Sequence, residues 1–151
     1  MTAKRAHFVT LRSIAIVMAA VEVVIHAVLA PTHLKETPYI GALFIAATVI
    51  LTGVLVSLVL RRTRTAGWIV GAVSSAGMFI GFIVSRTVGL PDYHESWTSD
   101  GGLGLLSLPP ELIFIGAALY AVRVRPAPGA ASGSLHIEDA ERAAELRETR
   151  R

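Results

Sequence analysis

The chain has 151 residues, 53% of them hydrophobic and 17% charged, with a formal net charge of +3. A soluble domain spreads polar residues through amphipathic patterns, whereas here the charges collect between long apolar runs, so the composition excludes an ordinary soluble domain and predicts an integral membrane protein. No cysteine is present, which excludes disulfides, thiolate metal sites and the quinone-linked oxidoreductases that work through Cys-x-x-Cys in a four-helix bundle.

Four apolar runs are long enough to cross a hydrocarbon core of about 30 Å, which takes about 20 helical residues. The first covers about 13–30 and carries Glu22 and His26 among valines, isoleucines and alanines. Basic residues before it and Val28-Leu29-Ala30 at its end resemble a signal peptide, but Pro31 directly after the cut and an internal glutamate favour a retained helix. The second run, about 38–60, includes YIGALFIAATVILTGVLVSLVL and has no charge. Thr37 and Pro38 supply an N-cap and a first-turn proline for it.

The third run, about 66–84, contains GWIVG and GMFIG, two small-xxx-small patterns at Gly67, Gly71, Gly77 and Gly81. Such spacing lets helices approach closely, either within one bundle or between copies in a homo-oligomer. The fourth run, about 103–122, holds Glu111 after Pro109 and Pro110. Those prolines suggest that LGLLSL is a broken first segment and that Glu111 caps the helix proper. Beyond Arg125, PAPGAASGS reads as a linker and HIEDAERAAELRETRR as a charged tail, making 126–151 a flexible appendage to a membrane domain at 1–125.

The basic residues set an orientation. Lys4, Arg5, Arg12, Arg61, Arg62, Arg64, Arg123 and Arg125 flank one side, while only Lys35 and Arg86 flank the other. This eight-to-two bias predicts cytoplasmic termini. It leaves Tyr39, Tyr93 and Trp97 in an outer aromatic belt, with Phe8, Trp68 and Tyr120 in an inner one. The basic residues hug the apolar runs and form no aromatic-interleaved face, so the expected partner is the lipid bilayer and not nucleic acid.

Two groups of side chains carry the candidate chemistry. At 1.5 Å per residue, Glu22 and Glu111 fall at a common depth near the bilayer midplane, and His26 lies one turn from Glu22 on the same face. Together they form a candidate intramembrane polar site. Two carboxylates sharing a low-dielectric pocket do not both ionise freely; one keeps a proton, or a cation sits between them. The alternative is that the trio only fixes helix packing.

The second group is a candidate metal site outside the membrane, built from His26, His33, His94 and Glu36. Imidazole with carboxylate suits a divalent zinc, copper or iron ion, although His33-x-x-Glu36 reverses the Glu-x-x-His order of di-iron bundles. Asp92, Glu95 and Asp100 share the same outer loops. Arg86 either snorkels to the headgroups or pairs with one of those carboxylates. GGLG at 101–104 lacks the strand and the lysine of a phosphate loop, and no nucleophile–base–acid set can be named.

HAVLAPTHLKETPYIGALF and SRTVGLPDYHESW resemble segments of small four-helix membrane proteins of high-GC Gram-positive bacteria. The resemblance implies a bacterial plasma-membrane protein and brings no catalytic residues. The expected fold is an all-α bundle of four membrane helices. Three functions stay open: an accessory or scaffold protein, a protein that handles a metal ion or protons, and an intramembrane enzyme acting on a lipid or quinone.

Overall fold

A computed structural model describes residues 3–60 and 64–123, with side chains placed for 9–60 and 65–123. The predicted tail at 126–151 lies outside the described residues. Four helices account for nearly all of the rest: α1 (Ala3–Glu36), α2 (Pro38–Val59), α3 (Arg64–Thr87) and α4 (Leu103–Arg123). Each is long and apolar enough to cross a membrane. The helices pack in a closed ring, α1 on α2, α2 on α3, α3 on α4 and α4 back on α1. The fold is the expected all-α four-helix bundle.

Its outside is apolar. Val17, Val24 and Val28 of α1, Leu43, Val49 and Val56 of α2, Val73 and Ile80 of α3 and Leu106, Leu112 and Leu119 of α4 are all exposed. Meanwhile Glu22, His26, His33, Arg86 and Glu111 are buried. Such an inversion suits a hydrocarbon surround, where apolar surface costs nothing and charge faces inward.

Prolines stand at two places where the sequence suggested a helix boundary, and the helices run through both. Pro31 lies inside α1, so that helix runs 34 residues and ends at Glu36, well past the predicted stop at Ala30. Pro31 removes the hydrogen bond to the Ala27 carbonyl but is itself exposed, as is Ala27. Likewise α4 is continuous from Leu103 through Pro109 and Pro110. Their missing N–H groups release the carbonyls of Leu105 and Leu106, both exposed residues, and leave the helix unbroken. Glu111 is therefore a mid-helix residue and not the cap the two prolines suggested.

The α1–α2 turn is a single residue. Thr37 takes an extended conformation as N-cap and Pro38 opens α2, as its sequence position predicts, although the threonine side chain makes no cap bond. Gly41 makes this tight hairpin possible, because a Cβ there would lie 2.2 Å from the Leu34 Cα. A backbone atom cannot swing aside. Gly41→Ala is therefore expected to cost about 1–3 kcal/mol through overpacking. Gly53→Ala, with nothing within 4 Å of its Cβ position, is expected to match or exceed the parent. Thermal unfolding in detergent compares the two.

The bundle has two unlike halves. At the end that carries the α2–α3 connection, Ala15, Ala19, Val54, Leu58, Trp68, Phe114, Ala117, Ala118 and Ala121 form one buried apolar cluster. Trp68 is 1% exposed and lies 5.8 Å from the Phe114 ring, so it belongs to this core and not to the inner aromatic belt. Gly67 and Gly71 work here as the small-residue pattern predicts. A Cβ at Gly71 would lie 2.4 Å from the Phe114 ring, and one at Gly67 3.1 Å from Ser57. Gly77 and Gly81 do not share this role: no atom lies within 4 Å of their Cβ positions. They face the other half, which is polar and hollow.

Candidate functional site

The hollow half contains a cavity of about 320 Å³ bounded by all four helices and the α3–α4 loop. Its polar wall runs from Tyr93, Glu95, Asp100 and Arg86 at the loop end to Ser107, Glu111 and His26 towards the middle of the bundle. Two charged clusters are thus joined by one space.

The deeper cluster is the predicted trio. Helices α1 and α4 are neighbours, and Glu22, His26 and Glu111 bring one ligand-type atom each within 4.8 Å of one another. Glu22 and Glu111 are each 1% exposed. The i, i+4 spacing puts the His26 ring over Glu22, with Nδ1 2.9 Å from the Glu22 carbonyl oxygen and 3.4 Å from Oε2. A carbonyl only accepts, so Nδ1 carries the proton of that hydrogen bond.

Neither Glu22 carboxylate oxygen receives a hydrogen bond, and Glu111 Oε2 receives none either. Ser107 is the hydrogen-bonding neighbour of Glu111, but its hydroxyl also lies 2.8 Å from the Gly104 carbonyl oxygen. One hydroxyl proton cannot serve both acceptors. The trio is consequently rich in acceptors and poor in donors, an arrangement that calls for a proton or a cation.

The cluster at the loop end joins His33 of α1, Arg86 of α3, and Tyr93, Glu95 and Asp100 of the loop. Arg86 Nη2 lies 2.7 Å from both Glu95 Oε2 and Asp100 Oδ2. Its Nη1 donates to Ser85 at 3.0 Å, and its guanidinium sits 3.8 Å over the Phe82 ring. Pairing with the outer carboxylates is thus the arrangement adopted, in place of snorkelling. His33 Nδ1 lies 2.9 Å from the Leu29 carbonyl oxygen and Nε2 3.1 Å from Glu95 Oε1. Both ring nitrogens face acceptors.

Loop geometry sets this cluster. Gly89, Asp92, Gly101 and Gly102 have positive φ, and Leu90 and Tyr93 bridge across a turn with Pro91 and Asp92 at its corners. The Glu95 N–H donates to the Ser85 carbonyl at 3.1 Å, tying the loop to the end of α3. Gly104 leaves room for the ion pair, since a Cβ there would lie 2.8 Å from Asp100 Oδ2. Tyr93 packs edge-on to His33 at 6.0 Å and so turns into the site, away from the expected outer belt.

Electrostatics divide the two acids. Burial pushes the Glu95 carboxyl up, but hydrogen bonds from Tyr93 and His33 and the Arg86 charge outweigh it and hold it below the usual range. Asp100 is raised, first by burial and then by the Glu95 charge and hydrogen bond, against the pull of His33 and Arg86. Burial, followed by the bond to Glu95 and the nearby acid charges, also raises the Tyr93 hydroxyl.

The four residues read as a metal set do not converge. No three of His26, His33, His94 and Glu36 share a site within 4.8 Å; His26 belongs to the inner trio and His33 to the outer cluster. Glu36 and His94 are exposed. His33, Glu95 and Asp100 have metal-like spacing, but Arg86 already supplies their positive charge. The missed signal lay in α1: Glu22, His26, Leu29 and His33 follow an i, i+4, i+7, i+11 stripe, visible once the helix is carried through Pro31. Phe44 of α2 lies between the two imidazoles, 5.2 Å from His26 and 4.4 Å from His33.

Comparison with protein-family models, curated proteins and solved structures finds no match to this chain. The functional argument rests on its own geometry.

Proposed function

We propose that the chain is a multi-pass plasma-membrane protein, with cytoplasmic termini, that binds a proton or a cation at the Glu22–Glu111 pair. The site lies on the wall of the cavity below the Arg86–Glu95–Asp100 cluster, in the extracytoplasmic half. The observation that carries this reading is the Glu111 carboxyl on the cavity wall, 1% exposed, with Oε2 free of hydrogen bonds and the Glu22 carboxyl, which accepts none, beside it.

An ionised side chain at that depth costs about 2.5–3.5 kcal/mol on insertion scales, and two cost more through mutual repulsion. A pair kept for helix packing alone would be hydrogen-bonded across α1 and α4, which these oxygens are not. An exchange site needs the opposite: acceptors left open for an occupant that comes and goes. His26 and Ser107 flank the pair and help to orient it.

Infrared spectroscopy of the purified protein in lipid nanodiscs tests this directly. A carboxyl C=O band that responds to bulk pH is expected in the parent and absent from Glu22→Gln/Glu111→Gln. A parent band from this pair that ignores pH, or a double variant that titrates like the parent, would sink the reading.

A further inference from the structure

We propose that the cation is organic and lipophilic, an ammonium carried on an apolar body, and that it enters from the bilayer through a window between α2 and α3. This deepens the reading above and rests on it. Three independent features point the same way.

Size is the first. A cavity of about 320 Å³ falls at the lower end of small-molecule sites, far above the roughly 30 Å³ share of one water. A bare inorganic ion is held by several oxygens at about 2.0–2.6 Å, and most of this space offers no such ligands. Its apolar walls include Leu43, Ile50 and Met78, which suit a hydrocarbon or aromatic body.

The window is the second. Helices α2 and α3 meet closely where Gly67 and Gly71 touch Ser57 and Val54. Towards the loop end, Gly77 and Gly81 border the cavity with nothing within 4 Å of their Cβ positions. On the facing helix, Leu43 and Ile50 line the cavity while being 58% and 44% exposed on the lipid-facing surface. The missing side chains open a lateral passage where a β-carbon would begin to close it.

Charge is the third. Arg86 is committed to Glu95 and Asp100 and the His26 Nδ1–H to the Glu22 carbonyl, so no arginine or lysine on the described wall is left for Glu111. The unpaired charge that the cavity offers is therefore an acceptor, and an anionic headgroup finds no counterpart. A quaternary ammonium meets both demands, with carboxylate oxygens for its charge and the apolar wall of Leu43 and Met78 for its hydrocarbon body.

Equilibrium binding to the full chain in nanodiscs tests the proposal with benzyltrimethylammonium and its uncharged isostere neopentylbenzene. The ammonium is expected to saturate one site per chain and the isostere to bind about tenfold weaker or less, the size of one charge-assisted contact. Glu111→Gln should weaken the ammonium by a similar factor, and sodium at equal concentration should not displace it. Gly81→Leu and Gly77→Leu, whose side chains would fill open space, should each slow its entry while the pH-responsive carboxyl band persists. Equal binding of the isostere, full retention in Glu111→Gln, or displacement by sodium overturns the proposal. If the carboxyl band titrates but the ammonium does not bind, this inference alone falls; if the band does not titrate, the acid-pair reading falls with it.

Discussion

Replacing Arg86 by leucine is expected to lower the unfolding free energy by about 3–5 kcal/mol at neutral pH, the range for stripping one partner from a buried ion pair. The choice of range matters, because an exposed pair contributes only about 0–1 kcal/mol. Here the side chains of Arg86, Glu95 and Asp100 are 4%, 10% and 7% exposed, so the buried case applies. Without the guanidinium, two acids face each other with His33 as their remaining basic neighbour.

The pH dependence gives the prediction its sign. Glu95 is held below its ordinary value, so it contributes stability that is present above the unfolded carboxylate range and is lost as pH falls through its folded value. Asp100 is raised and works the other way, with its contribution present in acid and lost as pH rises through its folded value. In Arg86→Leu the Glu95 contribution disappears, so the gap between variant and parent should narrow on acidification as both acids take protons. Thermal unfolding across pH in one detergent measures that gap. A gap that does not change with pH would assign the role of Arg86 to its packing over Phe82. Arg86→Lys should fall between the two, since it keeps the charge but loses the fork that reaches both acids.

That cluster also marks where the sequence stops being informative. The helices are legible because their runs match the length a bilayer demands, and helix geometry alone sets Glu22 and Glu111 at one depth. Their convergence needs only that α1 and α4 be neighbours, as they are in this ring of four. The partners of His33 are different. They depend on a loop whose path is set by positive φ at Gly89, Asp92, Gly101 and Gly102, and a list of loop acids does not encode which one turns inward. Glu95 and Asp100 do; Asp92 stays exposed at a turn corner.

The prolines show a second limit. A rule that proline ends helices holds where the freed carbonyl has no other recourse, but Pro31, Pro109 and Pro110 all lie within continuous helices. Bounding the first helix at Ala30 left His33 in a loop and grouped it with His26, Glu36 and His94. Carrying the helix onward turns His33 into the bundle and leaves those two exposed. The glycines of α3 carry the converse lesson: one spacing serves close packing at Gly67 and Gly71 and open space at Gly77 and Gly81. What separates them is the neighbour across the gap, Phe114 in one case and the cavity in the other.

The sharpest test of function against packing is a variant without the acid pair. Glu22→Met/Glu111→Met is expected to be more stable than the parent by about 1–4 kcal/mol, as when other buried charged groups are exchanged for apolar ones of similar size. Methionine is unbranched and of similar length, so it fills the same volume without forcing α1 and α4 apart. The gain follows because three of the four carboxylate oxygens have no donor and are buried, so their desolvation is uncompensated. The same variant should bind benzyltrimethylammonium at least about tenfold more weakly, giving higher stability with weakened binding in a single chain. Had the acids served to hold α1 against α4, removing them would destabilise the bundle, and a fall in unfolding temperature would restore the packing role. A stability penalty retained at two adjoining acids on neighbouring helices, one of them on the cavity wall, is expected of a site built for an occupant.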